Sequence, residues 1–386
     1  MNFEDEALAR ADAPLLIAGE IFRTTRHAPG HPLAIPRVSL TLDLCRVLGW
    51  LPDDRYREAL PADDGDLVRF HTPAYIAAVH RAETAQVLSD AEQRLFNLGV
   101  NGNPIHAEVF RRPATACGAS LAAARMLRKG GIVYSPAGGT HHGQPARASG
   151  YCIFNDPVLA ILELQAGGVK RICYLDLDAH FGDGVQQAFH HDPRAFTISI
   201  HEAGRWPMQP RDPHGSSFGA AGDRAGGAAR NLPLPPSAND SEFALLMTDV
   251  VVPLIRRFAP EALVVQGGAD ALADDPMTKL ALSNRALWTA LTAVMELAPR
   301  LLLLGGGGYN PWAVGRCWTG FWATLNRLPI PDTLPPAAEA LMRSVHWHHR
   351  LGRQPPGRWL QTLADPPRPG PIRPEVQALV ELALRD

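Results

Sequence analysis

Short apolar runs, rich in β-branched side chains, recur along the 386-residue chain, and helix-like stretches lie between several of them. The predicted strands are 15–22, 132–135, 171–175, 195–200, 262–266 and 301–304, and the predicted helices are 115–128, 157–166, 241–258 and 283–297. Strands of nearly continuous apolar character that alternate with helices predict an α/β fold with a parallel sheet covered on both faces. Because ligands bind at the carboxyl ends of such strands, the residues just after each run are the candidates for chemistry.

The chain shows no internal repeat and no linker that would divide it, so the pattern predicts one α/β domain over residues 1–386. Segment 203–236 is dense in glycine, proline and alanine. We expect a long irregular excursion there, because strand and helix patterns resume on both sides. Segment 330–386 is rich in proline and has a helical pattern at its end, and we expect it to wrap around the domain.

Composition narrows the class of protein. Hydrophobic residues make up 46% and charged residues 20%, as in an ordinary soluble enzyme. The net charge of -2 gives no electrostatic reason to expect nucleic acid or a membrane as partner. The N-terminus resembles no targeting signal, and no apolar run approaches the roughly 20 residues of a spanning helix, which predicts a cytoplasmic protein. Five scattered cysteines without a C-x-x-C pair favour reduced thiols.

The first candidate chemistry follows the third predicted strand, where Asp176, Asp178 and His180 occupy alternate positions on one face of an extended chain. Such a row is costly to bury unless it binds a cation or pairs internally, and the alternative is a solvated strand end. Asp270 follows the fifth predicted strand, at the same edge of the sheet. Asp178, His180 and Asp270 make three ligands with one position open, which is typical of a catalytic metal site. Zinc, iron, manganese and cobalt all accept these ligands.

Two histidines and a tyrosine follow two further strands. His141 and His142 come after a glycine turn, and alone they could equally be metal ligands, catalytic groups or satisfied core residues. If the spare carboxylates Asp176 and Asp183 each accept from one imidazole, both rings are oriented and made more basic, as a general base and acid require. Four glycines after the last predicted strand lead to Tyr309, whose hydroxyl could donate to an oxyanion.

Five ordered segments carry a resemblance to one enzyme family. They read GGTHHGQPARASGYCIFND, LDLDAHFGDGV, SIHEAGRW, GGADALADDP and GGGGYNPWAVGRCW. In this order they resemble the histone deacetylase and acetoin-utilisation protein family, including its bacterial amidohydrolases, over residues 29–328. The resemblance implies the arginase/deacetylase fold and zinc-dependent hydrolysis of the amide of an ε-acyl-lysine. Acylated lysine in proteins, or small acylated amines, would be the partners.

The resemblance also implies the ions of the site. One catalytic zinc ion would be bound by Asp178, His180 and Asp270. The family also tends to hold a monovalent cation, K⁺ or Na⁺, and here it would lie near Asp176 and Ser199.

Catalytic and pocket roles follow from the same resemblance. His142 would be the general base, His141 would help to protonate the leaving amine, and Tyr309 would donate to the oxyanion. The remaining residues would shape the pocket: Tyr151 and Trp206 flanking a narrow tunnel, Gly307 near its floor, and Arg37 beneath it, where the family's arginine helps the released carboxylate to leave.

Three departures from the family pattern concern the rim of the pocket. Gly102 stands where the family often has an acid that grips the peptide backbone, with Asn101 and Asn103 as the nearest replacements. Phe181 replaces a histidine common in the nuclear enzymes, and the loop 203–222 lacks the usual PGTG-like turn. Recognition would then rest on the tunnel, so we expect flanking peptide residues to matter little.

Three alternative interpretations remain open from the sequence. Within the family, the chain could be an acetylpolyamine or small acyl-amide hydrolase. An arginase-like site with two manganese ions would need further carboxylates, and the position two after Asp270 is Leu272, which supplies none. The chain could also be a protein that only binds acylated ligands, although every predicted ligand and catalytic residue is present.

Overall fold

The computed structural model describes residues 13–24, 27–208 and 217–385. The strands within these residues are β1 (Leu15–Ala18), β2 (Tyr56–Glu58), β3 (Gly131–Ser135), β4 (Ile172–Asp176), β5 (Ala195–Glu202), β6 (Ala229–Leu234), β7 (Ala262–Gln266) and β8 (Arg300–Leu304). They form one sheet in the order β2-β1-β3-β8-β7-β4-β5-β6, and every neighbouring pair is parallel. The predicted α/β fold with a central parallel sheet is confirmed.

Helices connect the strands and cover the sheet. Their bounds are α1 (Ile21–Thr24), α2 (Arg37–Val47), α3 (Asp64–Leu67), α4 (Pro73–Ala85), α5 (Asp90–Phe96), α6 (Arg111–Met126), α7 (Asp156–Ala166), α8 (Asp183–Ala188), α9 (Asp240–Leu246), α10 (Val252–Phe258), α11 (Asn284–Val294), α12 (Pro311–Leu325), α13 (Pro336–Arg343), α14 (Gly357–Gln361) and α15 (Pro374–Leu384). A π-helical turn (Met247–Val251) joins α9 to α10, so the stretch predicted as one helix over 241–258 is continuous but irregular.

The central strands are buried on both faces, as their continuous apolar sequences predict. Leu263 and Val265 of β7 belong to the core cluster that includes residues of α2, α11 and α12. Ala262 and Val264 alternate with them and belong to the opposite cluster, which includes residues of α6 and α7. Helices therefore cover both faces of the sheet and leave the strand ends as the place where polar groups can converge.

The first strand is shorter than predicted. The sequence pattern indicated a strand over 15–22, but β1 ends at Ala18 and α1 begins at Ile21. Phe22 N donates to the carbonyl oxygen of Gly19 at 3.1 Å, so the chain turns into a helix while its side chains stay apolar. Apolar character alone does not distinguish a buried strand from a short buried helix.

The irregular excursion predicted over 203–236 is wrong in its last part, which forms the edge strand β6. This strand pairs with β5 from Thr197 opposite Ala229 to Glu202 opposite Leu234. Pro233 interrupts its pattern, but a proline is tolerated on an edge strand because one side of the backbone needs no partner. Residues 209–216 of the excursion lie outside the described residues.

The segment from 330 to 385 contacts α12 through charged and aromatic groups. The buried Arg316 guanidinium lies 2.7 Å from the Asp365 carboxylate. The rings of Trp312 and Trp359 stack with their centroids 5.6 Å apart.

All five cysteines are buried with free thiols, as expected. None of the helices in the described residues is long and apolar enough to span a membrane.

Candidate active site

The chemistry-bearing residues meet at the carboxyl edge of four strands, β3, β8, β7 and β4, which are neighbours in that order. Each strand contributes residues from the loop that follows it: His141 and His142 after β3, Asp178 and His180 after β4, Asp270 after β7, and Tyr309 after β8. Four separate segments of sequence therefore converge on one site, where the rule for parallel sheets predicts a ligand.

Asp178, His180 and Asp270 form a compact buried group whose candidate ligand atoms lie within 4.8 Å of one another. His180 Nδ1 lies 2.8 Å from Asp270 Oδ2 and 3.3 Å from Asp178 Oδ1. Backbone donors orient the two carboxylates, since Ala179 N donates to Asp270 Oδ1 at 2.9 Å and Gly307 N to Asp178 Oδ2 at 2.6 Å. Two carboxylates and one imidazole in this arrangement match the ligand set of a catalytic divalent ion.

Glycines give these carboxylates the space they occupy. A Cβ atom at Gly307 would stand 2.1 Å from Asp270 Oδ2, and one at Gly268 would stand 2.4 Å from Asp178 Oδ2. Gly306 has a φ of +142° and would place a Cβ atom 3.0 Å from the same Asp178 oxygen. The glycine-rich sequence after β8 is therefore needed for close approach of the backbone to the metal-ligand group.

The paired histidines are each held by one carboxylate. His141 Nδ1 donates to Asp176 Oδ2 at 2.7 Å, and His142 Nδ1 donates to Asp183 Oδ1 at 2.6 Å. Burial opposes protonation of His141, but Asp176 and Asp178 outweigh it and raise the pKa of His141 to about 9. Burial and the neighbouring His141 lower the pKa of His142 to about 4, in spite of Asp183. The expectation that both rings are made more basic therefore holds for His141 and is wrong for His142, because burial and the neighbouring His141 outweigh Asp183.

Tyr309 is buried and has a fixed backbone. Its N–H donates to Asp275 Oδ2 at 2.7 Å, and Asp275 Oδ1 also accepts the backbone N–H of Met277 at 2.9 Å. Burial, followed by the charge of Asp270, raises the pKa of Tyr309 well above its usual value. The phenol therefore keeps its proton and can act as a donor. Asp275 was not predicted as a site residue, although it lies in the quoted segment GGADALADDP.

A cavity of about 840 Å³ opens onto this group, and its lining includes His142, His180 and Tyr309 together with Tyr151 and Trp206. The Trp206 ring is 51% exposed and lies 4.7 Å, centroid to centroid, from the His142 ring. The Tyr151 ring meets the Tyr309 ring edge-on at 6.1 Å. The two aromatic side chains expected to flank a tunnel thus stand at its mouth.

A second, smaller space of about 40 Å³ lies below, and Arg37, Gly307 and Tyr309 are among the residues around it. Arg37 Nη1 donates to the carbonyl oxygen of Gly306 at 2.6 Å, and its guanidinium lies over the Trp318 ring at 5.4 Å. Arg37 is therefore fixed at the glycine-rich turn after β8, beside the metal-ligand group.

Ser199 and Asp176 face one another across β5 and β4. Ser199 Oγ lies 2.9 Å from His201 Nδ1, and His201 Nε2 lies 2.9 Å from the carbonyl oxygen of Gly219. If Nε2 donates to that carbonyl, Nδ1 must accept from the serine hydroxyl, which leaves the serine oxygen lone pairs available. The two residues predicted to lie beside a monovalent cation are thus close together.

Three buried residues that the sequence did not single out hold the loop of the paired histidines. Asp156 accepts from Gly139 N at 3.0 Å and from Thr140 N at 2.8 Å. Asn155 Nδ2 donates to the carbonyl oxygens of His141 and Gly143, at 3.2 and 2.9 Å. A further contact joins His71 Nε2 to Asn155 N at 3.0 Å. The motif ending in IFND contains two of these residues and was the available signal.

Gly102, the position where we looked for an anchoring acid in the sequence, leaves no space for a side chain in this conformation. Its φ is +80°, and a Cβ atom would lie 2.6 Å from the Tyr151 ring. Asn103 is buried, and its amide is engaged by Asn97 O and Tyr151 N. Asn101 is exposed and uses only its amide nitrogen, which donates to Asn97 Oδ1 at 2.8 Å. Of the two candidate replacements, Asn101 alone can accept a bond from a ligand.

Comparisons with known proteins agree with this geometry. The family model of the histone deacetylase domain matches residues 31–325. The chain belongs to the histone deacetylase family. It is 31% identical to the acetoin utilization protein AcuC of Bacillus subtilis, over 90% of this chain and 89% of that protein. It is 32% identical to histone deacetylase 19 of Arabidopsis thaliana, over 80% of this chain and 61% of that protein.

A solved histone deacetylase homolog from Aquifex aeolicus has the same architecture. The two chains superpose with a TM-score of 0.89 at 33% identity, over 96% of this chain and 99% of the other. A homolog with the same values was solved in complex with SAHA. The fold is therefore the arginase/deacetylase fold, and the chain is a hydrolase of the histone deacetylase family.

Proposed function

We propose that this protein is a zinc-dependent deacylase that hydrolyses the amide of an ε-acyl-lysine. One observation carries the proposal: the buried group of Asp178, His180 and Asp270 borders a cavity that also reaches His142 and Tyr309. Metal ligands, an oriented imidazole and a phenol donor thus face one space, as amide hydrolysis requires.

The chain's residues fit a single divalent ion. Two carboxylates and one imidazole within 4.8 Å of one another leave room for further ligands, and the glycines beside them keep that space free of side chains. When bound there, zinc supplies a Lewis acid that polarises the amide carbonyl and lowers the pKa of a water molecule. Leu272 is a buried core residue, so the position that an arginase-like second ion would need holds no ligand.

His142 is proposed as the general base. Asp183 accepts its Nδ1–H, so the other ring nitrogen, Nε2, is unprotonated in the neutral ring and can take a proton from the attacking water. His141 is oriented in the same way by Asp176 and lies beside His142, with 3.9 Å between the ring centroids. In the proposed mechanism His141 is protonated before the C–N bond breaks and helps to protonate the leaving amine nitrogen, and the proton that His142 takes from water restores the balance.

Tyr309 is proposed as the donor to the oxygen that becomes negative in the transition state. Its backbone is fixed by Asp275 and its hydroxyl is protonated, so it is preorganised for this role. Tyr151 and Trp206 would hold the methylene stem of the substrate by aromatic contact.

A monovalent cation, K⁺ or Na⁺, is proposed near Asp176 and Ser199, where it would stabilise the strand that carries the ligands. The cytoplasm remains the predicted compartment.

The test is turnover of a fluorogenic acetyl-lysine peptide by protein that has been stripped with a chelator and then given zinc. We expect activity to disappear on chelation and to return at about one zinc ion per chain, measured by elemental analysis. Asp178→Asn should remain folded and lose zinc, whereas Asp332→Asn, at an exposed position, should behave as the wild type. Activity that resists chelation would contradict the metal, and tight ligand binding without turnover would favour the non-catalytic alternative.

A further inference from the structure

The mouth of the active-site cavity carries more positive than negative charge. Three of its lining residues have cationic side chains, Arg147, Arg205 and Lys279, and one, Glu202, is an acid. The net charge of the whole chain is -2, so this local excess is not a property of the protein as a whole. Charges that line a cavity act on a ligand more strongly than charges on an open surface, because low-dielectric walls focus their field.

The one carboxylate at the mouth is already neutralised. Glu202 accepts two bonds from Arg205, at 2.6 and 2.9 Å, and a third from the Lys279 backbone N–H at 2.7 Å. Arg205 also donates to the carbonyl oxygen of Met277 at 2.7 Å, which ties the two sides of the rim together. Glu202 and Arg205 therefore form a fixed pair that leaves little charge for a ligand.

The other two cations remain available. Arg147 and Lys279 are exposed, and no carboxylate of the described residues pairs with either side chain. They stand on different loops, Arg147 between the paired histidines and Tyr151, and Lys279 beyond Asp270. Gly102 supplies no acid at this rim. An incoming substrate thus meets two unpaired cations and an amide oxygen from Asn101 in place of a carboxylate.

We propose that Arg147 and Lys279 select acyl-lysine substrates that carry a carboxylate next to the acylated side chain. The inference rests on the proposed function and names the substrate class of the same site. Under this proposal flanking residues matter more than the sequence led us to expect, and they act through their charge. Two sources supply the carboxylate, an acidic residue beside the acyl-lysine or the free α-carboxylate of acyl-lysine itself.

The same charges disfavour the acetylpolyamine alternative. A monoacetylated polyamine enters with one or more ammonium groups, and like charges at an interface suppress the wrong partner. Tyr151 and Trp206 contact only the aliphatic stem, which acyl-lysine and acetylpolyamine substrates share. The charged residues of the rim would therefore distinguish two substrates that the aromatic residues accept equally.

The test compares kcat/KM for matched substrates. Three short acetyl-lysine peptides differ only in the two residues beside the acetyl-lysine, which are Asp, Asn or Arg. Asp and Asn are nearly isosteric, so this pair isolates charge. Nε-acetyl-lysine blocked at its α-amine is tested as free acid and as carboxamide, and a monoacetylated diamine completes the set. The peptide series tests an acidic neighbour as the source of the carboxylate, and the pair of free acid and carboxamide tests the α-carboxylate of acyl-lysine itself.

We expect the Asp peptide to exceed its Asn counterpart by about tenfold, which two partly exposed charge contacts supply. The Arg peptide and the diamine should be the poorest substrates. The difference should lie in KM, because the charges are distant from the reacting atoms and act equally on ground and transition states. It should shrink in 1 M salt, where the Debye length falls to about 3 Å.

Charge reversal provides the decisive variants. Arg147→Glu combined with Lys279→Glu should invert the order of the three peptides. Lys129→Glu is the matched control, because Lys129 is exposed and precedes β3 at the opposite edge of the sheet. This variant should retain the wild-type order.

Turnover without any preference among Asp, Asn and Arg peptides would overturn the inference and leave the proposed function standing. An order unchanged by double charge reversal would also overturn it. No turnover of any substrate by the zinc-loaded wild type would refute the proposed function, and the inference would fall with it.

Discussion

Asp156 offers the sharpest test of how the catalytic loop is held. The buried carboxylate receives four donors: the Ser120 hydroxyl at 2.6 Å, Gly139 N, Thr140 N and the Thr140 hydroxyl. It is also the first residue of α7, where negative charge is favourable. Asp156→Ala leaves two buried N–H groups unpaired and opens a cavity, whereas Asp156→Asn keeps one acceptor oxygen and gains an N–H₂ that can donate to the Ser120 hydroxyl.

The magnitudes follow from these contacts. A hydrogen bond to a charged group contributes about 1.5–3 kcal/mol, so loss of both backbone contacts should cost Asp156→Ala about 3–6 kcal/mol of unfolding free energy. Asp156→Asn should lose about 1–2 kcal/mol, since its geometry is preserved. Because His141 and His142 follow this turn, kcat/KM of Asp156→Ala should fall about 100-fold, the scale of a misplacement of about 1 Å.

Urea unfolding and steady-state kinetics measure both effects. Asp332→Ala, at an exposed position, serves as the control and should stay within about 0.5 kcal/mol of the wild type. If Asp156→Ala lost less than about 1 kcal/mol and kept full activity, other contacts would hold the loop and the reasoning would be wrong.

Three further predictions concern single residues. Tyr309→Phe should lower kcat by about 10²–10³ with little change in KM, and an unchanged kcat in steady-state assays would remove the hydroxyl from the mechanism. Gly307→Ala should reduce bound zinc in elemental analysis, because its Cβ atom would stand 2.1 Å from Asp270 Oδ2. Full metal content would show that the loop can shift enough to accommodate the added methyl group. Burial lowers the pKa of His71 to about 4, so the unfolded chain, with a pKa of 6.5, binds the proton first as pH falls. The wild type should therefore lose about 2 kcal/mol of unfolding free energy between pH 7 and pH 5 through this group, and His71→Gln should not; equal pH dependence in urea titrations would contradict the assignment.

The sequence predicted the sheet and the converging residues because both depend on local patterns. β7 has the predicted bounds, 262–266. Its sequence is almost entirely apolar, and all five of its residues are buried. Asp178 and Asp270 were found because strand ends are visible in sequence and parallel topology brings them together. The edge strand β6 was missed, because Pro233 and Arg230 disguise a strand that needs pairing on one side only.

Groups that act through backbone contacts were harder to find. His71 accepts a hydrogen bond from the main-chain N–H of Asn155, 84 positions away, and no side-chain pattern reveals such a contact. Asp275 holds Tyr309 by the backbone N–H, and it looked like an ordinary acid after Asp270. The rim cations Arg147 and Lys279 lie on loops that are far apart in the sequence. Neither their positions in the sequence nor the net charge of -2 indicates that they line the same cavity.

The arrangement of the sheet separates the reaction from the choice of substrate. Ligands and catalytic groups are buried in the loops that follow four adjacent inner strands, whereas Arg147, Trp206 and Lys279 occupy exposed loop positions at the rim. Exchanges at exposed loop positions typically alter stability by less than about 0.5 kcal/mol. New selectivity can therefore arise by a few neutral steps without disturbing hydrolysis. For the protein engineer, a library confined to Asn101, Arg147 and Lys279 should shift substrate range while every member still folds.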